Sequence, residues 1–349
     1  MKHNDFFHSN EFHQFEKYLE KANTILAEIA EKNENITPIK LADYALFEDF
    51  FSREVESTYG NSWIYVTQGT FGIGPELLGY KYYDGQNLCV LSIAPKIEQP
   101  ETMMLYWIRP MGQKILSVIS SLSEDIKKKY RVSSYVKKLF PEQQQFLLKH
   151  GFRSAEEFPW HSSAHSEDDT FPELIFDREK TLRSIKDASR SSSLGRIRRG
   201  LLKVESENEL KVHDFDIEQQ AWSVVKEYFL EHQKLGRKIN ISTPFDYFNM
   251  IFHSAQADIV RKVLFLNGKP VGFYLIERRP RLNTANVYCC LALKQDQKYL
   301  MDFLKQVIFN EETAKYINCG GSEDAGMDCF KYKYKPIISS RMYMLTNLQ

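Results

Sequence analysis

The residues with the clearest chemical potential lie near the carboxyl end of the chain, in residues 318–326. Glycines in this stretch allow the backbone to turn through positive φ and to approach a ligand closely. Glu323 and Asp324 lie between these glycines and could take a proton from an attacking amine or bind a cationic substrate. We predict that the segment lines a functional groove, with Glu323 or Asp324 as the acid–base group; a structural turn with exposed acids is the alternative. The predicted binding residues in and beyond this stretch are Asn318, Gly320, Gly321 and Lys331.

A basic stretch in the middle of the chain is the second candidate site. Arg196, Arg198 and Arg199 follow a run of serines at residues 191–193. On a helix, Arg196, Arg199 and Lys203 fall on one face, because they are three and four residues apart. Such a face could bind the phosphates of a tRNA acceptor end, a phospholipid headgroup or a nucleotide. A solvated helix face is the alternative interpretation.

Composition restricts the classes of protein and partner. The 46 Lys and Arg residues balance the 46 Asp and Glu residues, so any site for a polyanion must be local. None of the cysteines forms a C-x-x-C pair, so we expect neither a disulfide framework nor a metal site. The amino terminus is polar and no long apolar run occurs, so we expect a cytoplasmic protein without a transmembrane segment. Gly-x-Ser-x-Gly, P-loop and His-Glu-x-x-His motifs are missing, which excludes the common hydrolases, NTPases and zinc proteases.

Hydrophobic periodicity predicts the elements that must position these residues. In the first part of the chain, strands are predicted over residues 62–67, 77–82, 88–94 and 104–108. A loop is predicted over residues 109–112, and helices over residues 114–122 and 134–150. In the second part, strands are predicted over residues 173–176, 261–266, 271–277, 285–291 and 315–319. Helices are predicted there over residues 180–191, 216–233, 245–255 and 298–310.

The order of these elements is repeated along the chain. A strand, an Asp-Gly or Asn-Gly turn, two further strands and a helix occur within residues 62–122 and again within residues 261–310. Residues 154–172 are rich in Ser, His, Glu, Asp and Pro, so we place a domain junction there. The sequence therefore predicts an α/β fold with mixed sheets in two halves, residues 1–153 and 173–349.

Three segments of the second half resemble the C-terminal domain family of the phosphatidylglycerol lysyltransferases. The first, residues 174–182 followed by residues 195–199, is similar to the family's short strand and basic helix. The second, residues 266–274, resembles its hairpin of a strand, a turn and a Gly-Phe strand. The third, residues 316–326 with a Phe-Lys and a Lys-Pro pair beyond it, resembles its closing segment. This family has a tandem acetyltransferase-like fold that is also used by the Fem-type peptidoglycan aminoacyltransferases.

The resemblance implies two acetyltransferase-like (GNAT-like) halves, with an aminoacyl-tRNA or an acyl-CoA as activated donor. The acceptor would be an amine or hydroxyl of a small molecule, a lipid or a peptide. Members that use CoA hold its pyrophosphate on a Gln/Arg-x-x-Gly-x-Gly/Ala loop between a strand and a helix. In the first half Arg109 and Gly112 retain Arg-x-x-Gly and are candidate donor-binding residues, with a plain turn as the alternative. In the second half no glycine occurs from Cys289 through Asn318, so no such cradle is expected there.

Two functions are compatible with these features. The first is a transferase that moves an acyl or aminoacyl group in the groove between the halves. Its catalysis would rest on positioning, with an acidic side chain deprotonating the nucleophile and backbone donors holding the oxyanion. The second is a non-catalytic binding protein of the same fold that holds a nucleotide, a lipid headgroup or a peptide in the groove. The incomplete CoA loop favours either an aminoacyl-tRNA donor or the non-catalytic protein.

Overall fold

The computed structural model describes residues 10–54, 58–68, 79–96, 99–154, 172–214, 218–236, 243–252, 254, 259–293, 299–322 and 325–348. The helices are α1 (Asn10–Ala30), α2 (Tyr44–Arg53), α3 (Trp63–Gln68), α4 (Ile115–Tyr130), α5 (Pro141–Lys149), α6 (Arg178–Lys186), α7 (Ser193–Glu207), α8 (Glu218–Lys234), α9 (Thr243–Phe252), α10 (Leu300–Glu311) and α11 (Ala325–Tyr332). The strands are β1 (Ile36–Pro38), β2 (Tyr80–Tyr83), β3 (Leu88–Lys96), β4 (Gln99–Met111), β5 (Ser133–Leu139), β6 (Arg153–Ser154), β7 (Glu173–Asp177), β8 (Leu210–Asp214), β9 (Ile259–Leu266), β10 (Lys269–Arg279), β11 (Thr284–Ala292), β12 (Tyr316–Asn318), β13 (Ile338–Ser340) and β14 (Tyr343–Thr346). Among the described helices, none combines the length and the apolar character needed to cross a membrane.

The strands form two seven-stranded sheets. The first sheet has the order β1-β2-β3-β4-β5-β14-β6, and the second has the order β13-β7-β12-β11-β10-β9-β8. Each sheet contains a parallel pair, β4 with β5 and β11 with β12, next to antiparallel neighbours. A helix, α4 or α10, connects the two parallel strands, because such a pair needs a crossover. The fold is therefore α/β with mixed sheets, as the sequence predicts.

The two sheets repeat one arrangement of elements. The run β1-β2-β3-β4-α4-β5 in the first half corresponds to the run β8-β9-β10-β11-α10-β12 in the second. In both runs the strands up to the helix pair antiparallel in sequence order, and the strand after the helix pairs parallel to the one before it. The repeated order seen in the sequence is thus an architectural duplication.

The strands that follow the two repeated runs are exchanged between the sheets. β7 follows β6 in the chain but pairs with β12 and β13, while β14 follows β13 but pairs with β5 and β6. β7 and β14 occupy equivalent places, each between the strand after the crossover helix and an edge strand. The first sheet therefore contains the last strand of the chain, which lies far beyond residues 1–153.

Buried side chains form three apolar clusters. One cluster belongs to the first sheet and one to the second, on the sides covered by α4 and by α10. The third contains residues of both halves, such as Phe47 and Trp63 from the first and Val225 and Phe273 from the second. The two halves therefore share an apolar core and pack directly on each other.

Three of the predicted elements are wrong. Residues 62–67 form α3 instead of a strand, and residues 134–150 form β5 and α5 instead of one helix. Pro141 begins α5, and the residue before a proline avoids helical backbone, so the chain cannot be helical through this point. The predicted loop over residues 109–112 is also wrong at its start, because β4 continues through Met111.

Candidate functional site

The parallel strand pair of each half diverges at its carboxyl end. β4 and β5 pair with each other through Ile108 and Lys137, and the next residues, Arg109 and Lys138, have positive φ values of 52° and 60°. Such values are uncommon for residues with a side chain, and they mark the point where the parallel pairing ends, while β4 continues beside β3 and β5 beside β14. β11 and β12 remain paired through Asn286 and Asn318. Each sheet thus has a gap that groups from elsewhere in the protein can enter.

A segment of the first half, residues 58–62, runs into both gaps. In the first gap, Gly60 lies directly against the two residues at which the strands diverge. A Cβ atom at Gly60 would lie 3.0 Å from Lys138 Cγ and 3.3 Å from Arg109 Cδ. The absence of a side chain at this glycine therefore allows the segment to pass between the strands.

Tyr59, on the same segment, fills the gap of the second half. Its hydroxyl donates to the Val287 carbonyl at 2.7 Å, and its ring lies 4.2 Å from the Tyr288 ring. The Tyr288 hydroxyl donates in turn to the Tyr59 carbonyl at 2.7 Å. A Cβ atom at Gly320, where φ is 62°, would lie 3.0 Å from the Tyr59 ring, so this position requires glycine. Burial raises the pKa of both tyrosine hydroxyls well above the usual value, so both remain neutral donors.

A buried carboxylate, Glu173, connects this segment to both sheets. It is 1% exposed and accepts from Thr58 Oγ1 at 2.9 Å and from the Tyr59 amide at 2.7 Å. It also accepts from Lys138 Nζ at 3.3 Å and from Asn318 Nδ2 at 3.1 Å. Glu173 therefore joins the divergence points of the two halves through one side chain.

A second buried carboxylate, Glu277 on β10, holds the next part of the segment. It is 0% exposed and accepts from the Trp63 amide at 2.9 Å, the Ile64 amide at 3.1 Å and the Ser62 hydroxyl. Arg279 also donates to it. Free amide groups at the start of a helix favour an anion, so Glu277 caps α3 from the other half of the protein. This contact explains why residues 62–67 are helical although their side chains favour a strand.

These two carboxylates are the groups that sequence reasoning missed. Each lies in an otherwise apolar strand, with Glu173 at the start of ELIF and Glu277 after VGFYLI. A lone acid in such a strand is a detectable signal of a buried and paired charge, because burying an unpaired carboxylate is costly. Four donors surround each carboxylate, so both act as anchors between the halves and neither is available as a proton acceptor.

Arg109 and Gly112, the predicted donor-binding pair, are engaged within the first half. Arg109 is fully buried; it donates to the Glu54 carboxylate at 2.7 Å and to the Asn61 amide oxygen. Gly112 has a φ of 107°, and a Cβ atom there would lie 2.6 Å from Asn87 Oδ1. That oxygen accepts from the backbone amide at the entry to α4 at 2.9 Å. A side chain of the protein thus occupies the position where a phosphate cradle needs a free amide.

The end of β12 is fixed by the side chains predicted to bind a ligand. Asn318 is fully buried, and its Oδ1 accepts from the Gly320 amide at 2.9 Å. Lys331 is also buried, and its Nζ donates to the carbonyl oxygens of residues 319–321, the first of them at 2.8 Å. The structure therefore brings Asn318, Gly320, Gly321 and Lys331 together in one turn. Side-chain hydrogen bonds hold this turn, and the Lys331 ammonium binds its backbone carbonyls.

The predicted acid–base residues follow this turn. Ser322 is buried and donates to Asp328 Oδ1 on α11 at 3.3 Å. Glu323 and Asp324 lie outside the described residues, between Ser322 and the start of α11. Their role as acid–base groups therefore stays a prediction, although the chain is anchored on both sides of them.

The predicted basic face lies on α7, whereas Glu173 and Glu277 lie on strands. Arg198 and Arg199 donate to the carbonyl oxygens of Lys186 and Arg190, which lie in or before the loop that leads into α7. Arg196 and Arg199 are exposed, whereas Arg198 is half-buried. The structure thus groups the three arginines near the amino end of one helix, and two of them brace the preceding loop.

Thiols and acids of the described region form no evident metal centre. Among the residues that the structure describes, no group of three or more His, Cys, Asp or Glu side chains is placed to hold a metal ion. The cysteines are free thiols, and burial raises the pKa of the Cys290 thiol to about 12. Cys290 is therefore protonated and inert near neutral pH.

Solved structures of the same fold cover almost the whole chain. A conserved protein of unknown function from Bacteroides thetaiotaomicron is similar with a TM-score of 0.65 and 15% identity, over 89% of this chain and 98% of that chain. The C-terminal domain of a putative lysylphosphatidylglycerol synthetase from Agrobacterium fabrum has a TM-score of 0.54 and 13% identity, over 88% and 92%. FemX has a TM-score of 0.55 and 11% identity, over 90% and 97%. No family model and no curated protein matches the sequence.

The low identities make these similarities evidence of fold, because one fold can carry different functions. The coverage extends over both halves, so the arrangement of two sheets is shared as well as the architecture of each. The resemblance predicted from the sequence is confirmed at this level. This chain, with its two mixed sheets, shares the α/β fold of the lysylphosphatidylglycerol synthetase C-terminal domain and FemX.

Proposed function

We propose that this chain is a transferase that moves an acyl or aminoacyl group from an activated donor to an amine or hydroxyl acceptor. The observation that carries the proposal is the convergence of both strand gaps on one buried polar junction between the halves. Diverging strands leave backbone groups without sheet partners, and a bound donor can satisfy them as Tyr59 does here. Proteins of the same fold named lysylphosphatidylglycerol synthetase and FemX support this class of reaction.

Aminoacyl-tRNA is the donor class that the residues favour over acyl-CoA. The turn before α4 is filled by Asn87, and the connection from β11 to α10 contains no glycine. Neither half therefore offers the Gly-rich cradle that a CoA pyrophosphate requires. The α7 face, in contrast, presents Arg196, Arg199 and Lys203 to solvent, where they can bind the phosphates of an RNA strand.

In the proposed reaction the acceptor attacks the carbonyl carbon of the aminoacyl ester, and the terminal ribose hydroxyl of the tRNA leaves. The nucleophile loses a proton in this step, and that proton ends on the departing oxygen. Glu323 or Asp324 is the proposed group that transfers it. Glu173 and Glu277 cannot serve this purpose, because four donors already occupy the carboxylate oxygens of each of them.

The test uses the full chain with total tRNA charged with radiolabelled amino acids. We expect filter binding in which the logarithm of the binding constant falls linearly and steeply with the logarithm of the salt concentration. We also expect label to leave the tRNA and to appear in a small-molecule, peptide or lipid fraction of an added cell extract. The fraction that gains the label gives the class of acceptor.

Two other results would contradict the proposal in different ways. Saturable binding of acetyl-CoA, with a shallow salt dependence and no affinity for charged tRNA, would show that the donor is an acyl-CoA and not an aminoacyl-tRNA. Binding of charged tRNA without any transfer, in extract and with added lipid vesicles, would favour the non-catalytic alternative. Uncharged tRNA serves as the matched control for binding that depends on the phosphate backbone alone.

A further inference from the structure

Asn286 carries a buried acceptor that nothing in the described part of the chain satisfies. The residue is 0% exposed and sits at the last position where β11 pairs with β12, where the second strand gap begins. Its Nδ2 donates to the Tyr288 hydroxyl at 3.2 Å, but its Oδ1 has no hydrogen-bond partner. A buried oxygen without a donor loses its hydrogen bonds to water and gains none in return, so such an atom in a folded protein calls for an explanation.

The surroundings of Asn286 favour a positively charged donor. Glu277, Asn286 and Asn318 are successive cross-strand partners on β10, β11 and β12, so their side chains lie on one face of the sheet. Asn318 donates to Glu173, which places Asn286 between two buried carboxylates. Two cations oppose this charge. Lys138 lies beside Glu173, and Arg279 donates both to Glu277 and to Glu48.

The Tyr288 hydroxyl contacts Asn286 directly, so the same charges affect its pKa. Burial is the largest cause that raises its pKa, and the Glu277 carboxylate adds to this shift more than the Arg279 guanidinium opposes it. Three carboxylates, Glu173, Glu277 and Glu48, share two cations around Asn286, so a cation that donates hydrogen bonds fits this position better than a neutral group does.

We propose that Asn286 Oδ1 accepts a hydrogen bond from the primary ammonium group of the substrate. Beside this surplus of carboxylates an amine keeps its proton and has no free electron pair, so it cannot be the attacking nucleophile. The bound group is therefore the α-ammonium of the aminoacyl moiety on the donor, and the site selects aminoacyl over N-blocked acyl groups. This inference rests on the proposed transferase function, which it narrows to a class of donor.

Tyr59 controls access to this position. Its ring covers Tyr288, and its hydroxyl binds the Val287 carbonyl next to Asn286 in the chain. A substrate ammonium reaches Asn286 when the Tyr59 ring leaves the gap, and the ligand then replaces the donor that the Tyr59 hydroxyl supplies. Removal of this ring should therefore strengthen binding of small ligands.

The test is calorimetric titration of the full chain with alaninamide and leucinamide, and with their Nα-acetyl forms. Because a hydrogen bond to a charged group discriminates strongly, we expect the free amines to bind about 10-fold to 100-fold more tightly than the acetylated forms. Asn286→Leu keeps the volume but removes the acceptor, so this preference should disappear. Asn286→Asp should increase it, and Tyr59→Ala should lower the dissociation constant of the free amines.

Asn347→Leu is the matched control. Asn347 is also a buried asparagine with one unpartnered amide atom, but its Oδ1 accepts from the Ser134 amide in the first sheet. We expect it to destabilise the protein and to leave the preference for free amines unchanged. Equal binding of free and acetylated amides, or a preserved preference in Asn286→Leu, would overturn the inference. If charged tRNA still donates its amino acid in that case, the transferase function stands and only the ammonium site is wrong.

Discussion

Lys138 and Glu173 are both almost fully buried, and their charged groups lie 3.3 Å apart. Removing two charges from water is expensive, and the cost is offset here because the carboxylate also accepts from three other donors. The pair therefore specifies how segment 58–62 fits between the sheets. It adds little net stability as a salt bridge, but the loss of either partner leaves the other charge buried.

Glu173→Ala should lower the free energy of unfolding by about 3–5 kcal/mol, because it leaves the Lys138 ammonium without its carboxylate. Urea unfolding followed by far-UV circular dichroism measures this change. Glu179→Ala, in an exposed i,i+4 pair on α6, is the control and should change the stability by at most about 0.5 kcal/mol. Equal effects of the two substitutions would show that Glu173 is not an anchor.

Glu323→Gln and Asp324→Asn, made separately, test the acid–base role. Each substitution preserves shape but removes the proton acceptor. If one residue is the general base, transfer from charged tRNA should fall by about 100-fold to 10,000-fold, while the affinity for the tRNA changes little. The measurement is single-turnover transfer at saturating enzyme. Wild-type rates in both variants would leave this stretch as a structural turn.

At the scale of elements, the sequence predicted most strands and helices where the periodicity is local. The hairpin of β9 and β10 follows from the Asn-Gly turn between two apolar runs, and the strand β7 from its continuous apolar residues. α3 could not be predicted in this way, because its first amides are capped by Glu277, more than 200 residues away. The polar junction around Glu173 and Glu277 could not be predicted for the same reason, because its residues approach each other only in the tertiary structure.

The basic face on α7 gives a prediction in which neighbouring arginines differ. Arg196→Ala removes an exposed charge, so it should weaken binding of charged tRNA and reduce the salt slope by about one unit, with a stability change of at most about 0.5 kcal/mol. Arg198→Ala should also destabilise the protein, because Arg198 donates to the Lys186 carbonyl. Filter binding over a salt series and thermal unfolding separate the two effects. An unchanged salt slope in Arg196→Ala would show that the basic face on α7 is solvated and does not bind the tRNA.

At the scale of the whole molecule, β7 and β14, the strands that follow the two repeated runs, are exchanged between the sheets and link the runs more firmly than their order in the chain indicates. β14 supplies Leu345 to the apolar cluster of the first sheet, and β7 supplies Phe176 to that of the second. Together with the shared cluster between the sheets and the carboxylate anchors, this exchange fixes the two strand gaps relative to each other. A site assembled from both gaps needs such rigidity, because small displacements of reacting groups reduce rates strongly.

Core substitutions in β14 and β7 can test whether sheet membership decides which sheet is weakened, because Leu345 belongs to the second half of the chain but to the first sheet. Leu345→Ala should cost about 2–5 kcal/mol and Phe176→Ala about 3–5 kcal/mol, since both side chains are fully buried. Hydrogen exchange should then show faster opening of β4 and β5 for Leu345→Ala, although Leu345 lies only four residues from the end of the chain. For Phe176→Ala, β11 and β12 should open faster. If each substitution accelerated exchange equally in both sheets, the molecule would unfold as one unit, and the division into two sheets would have no energetic counterpart.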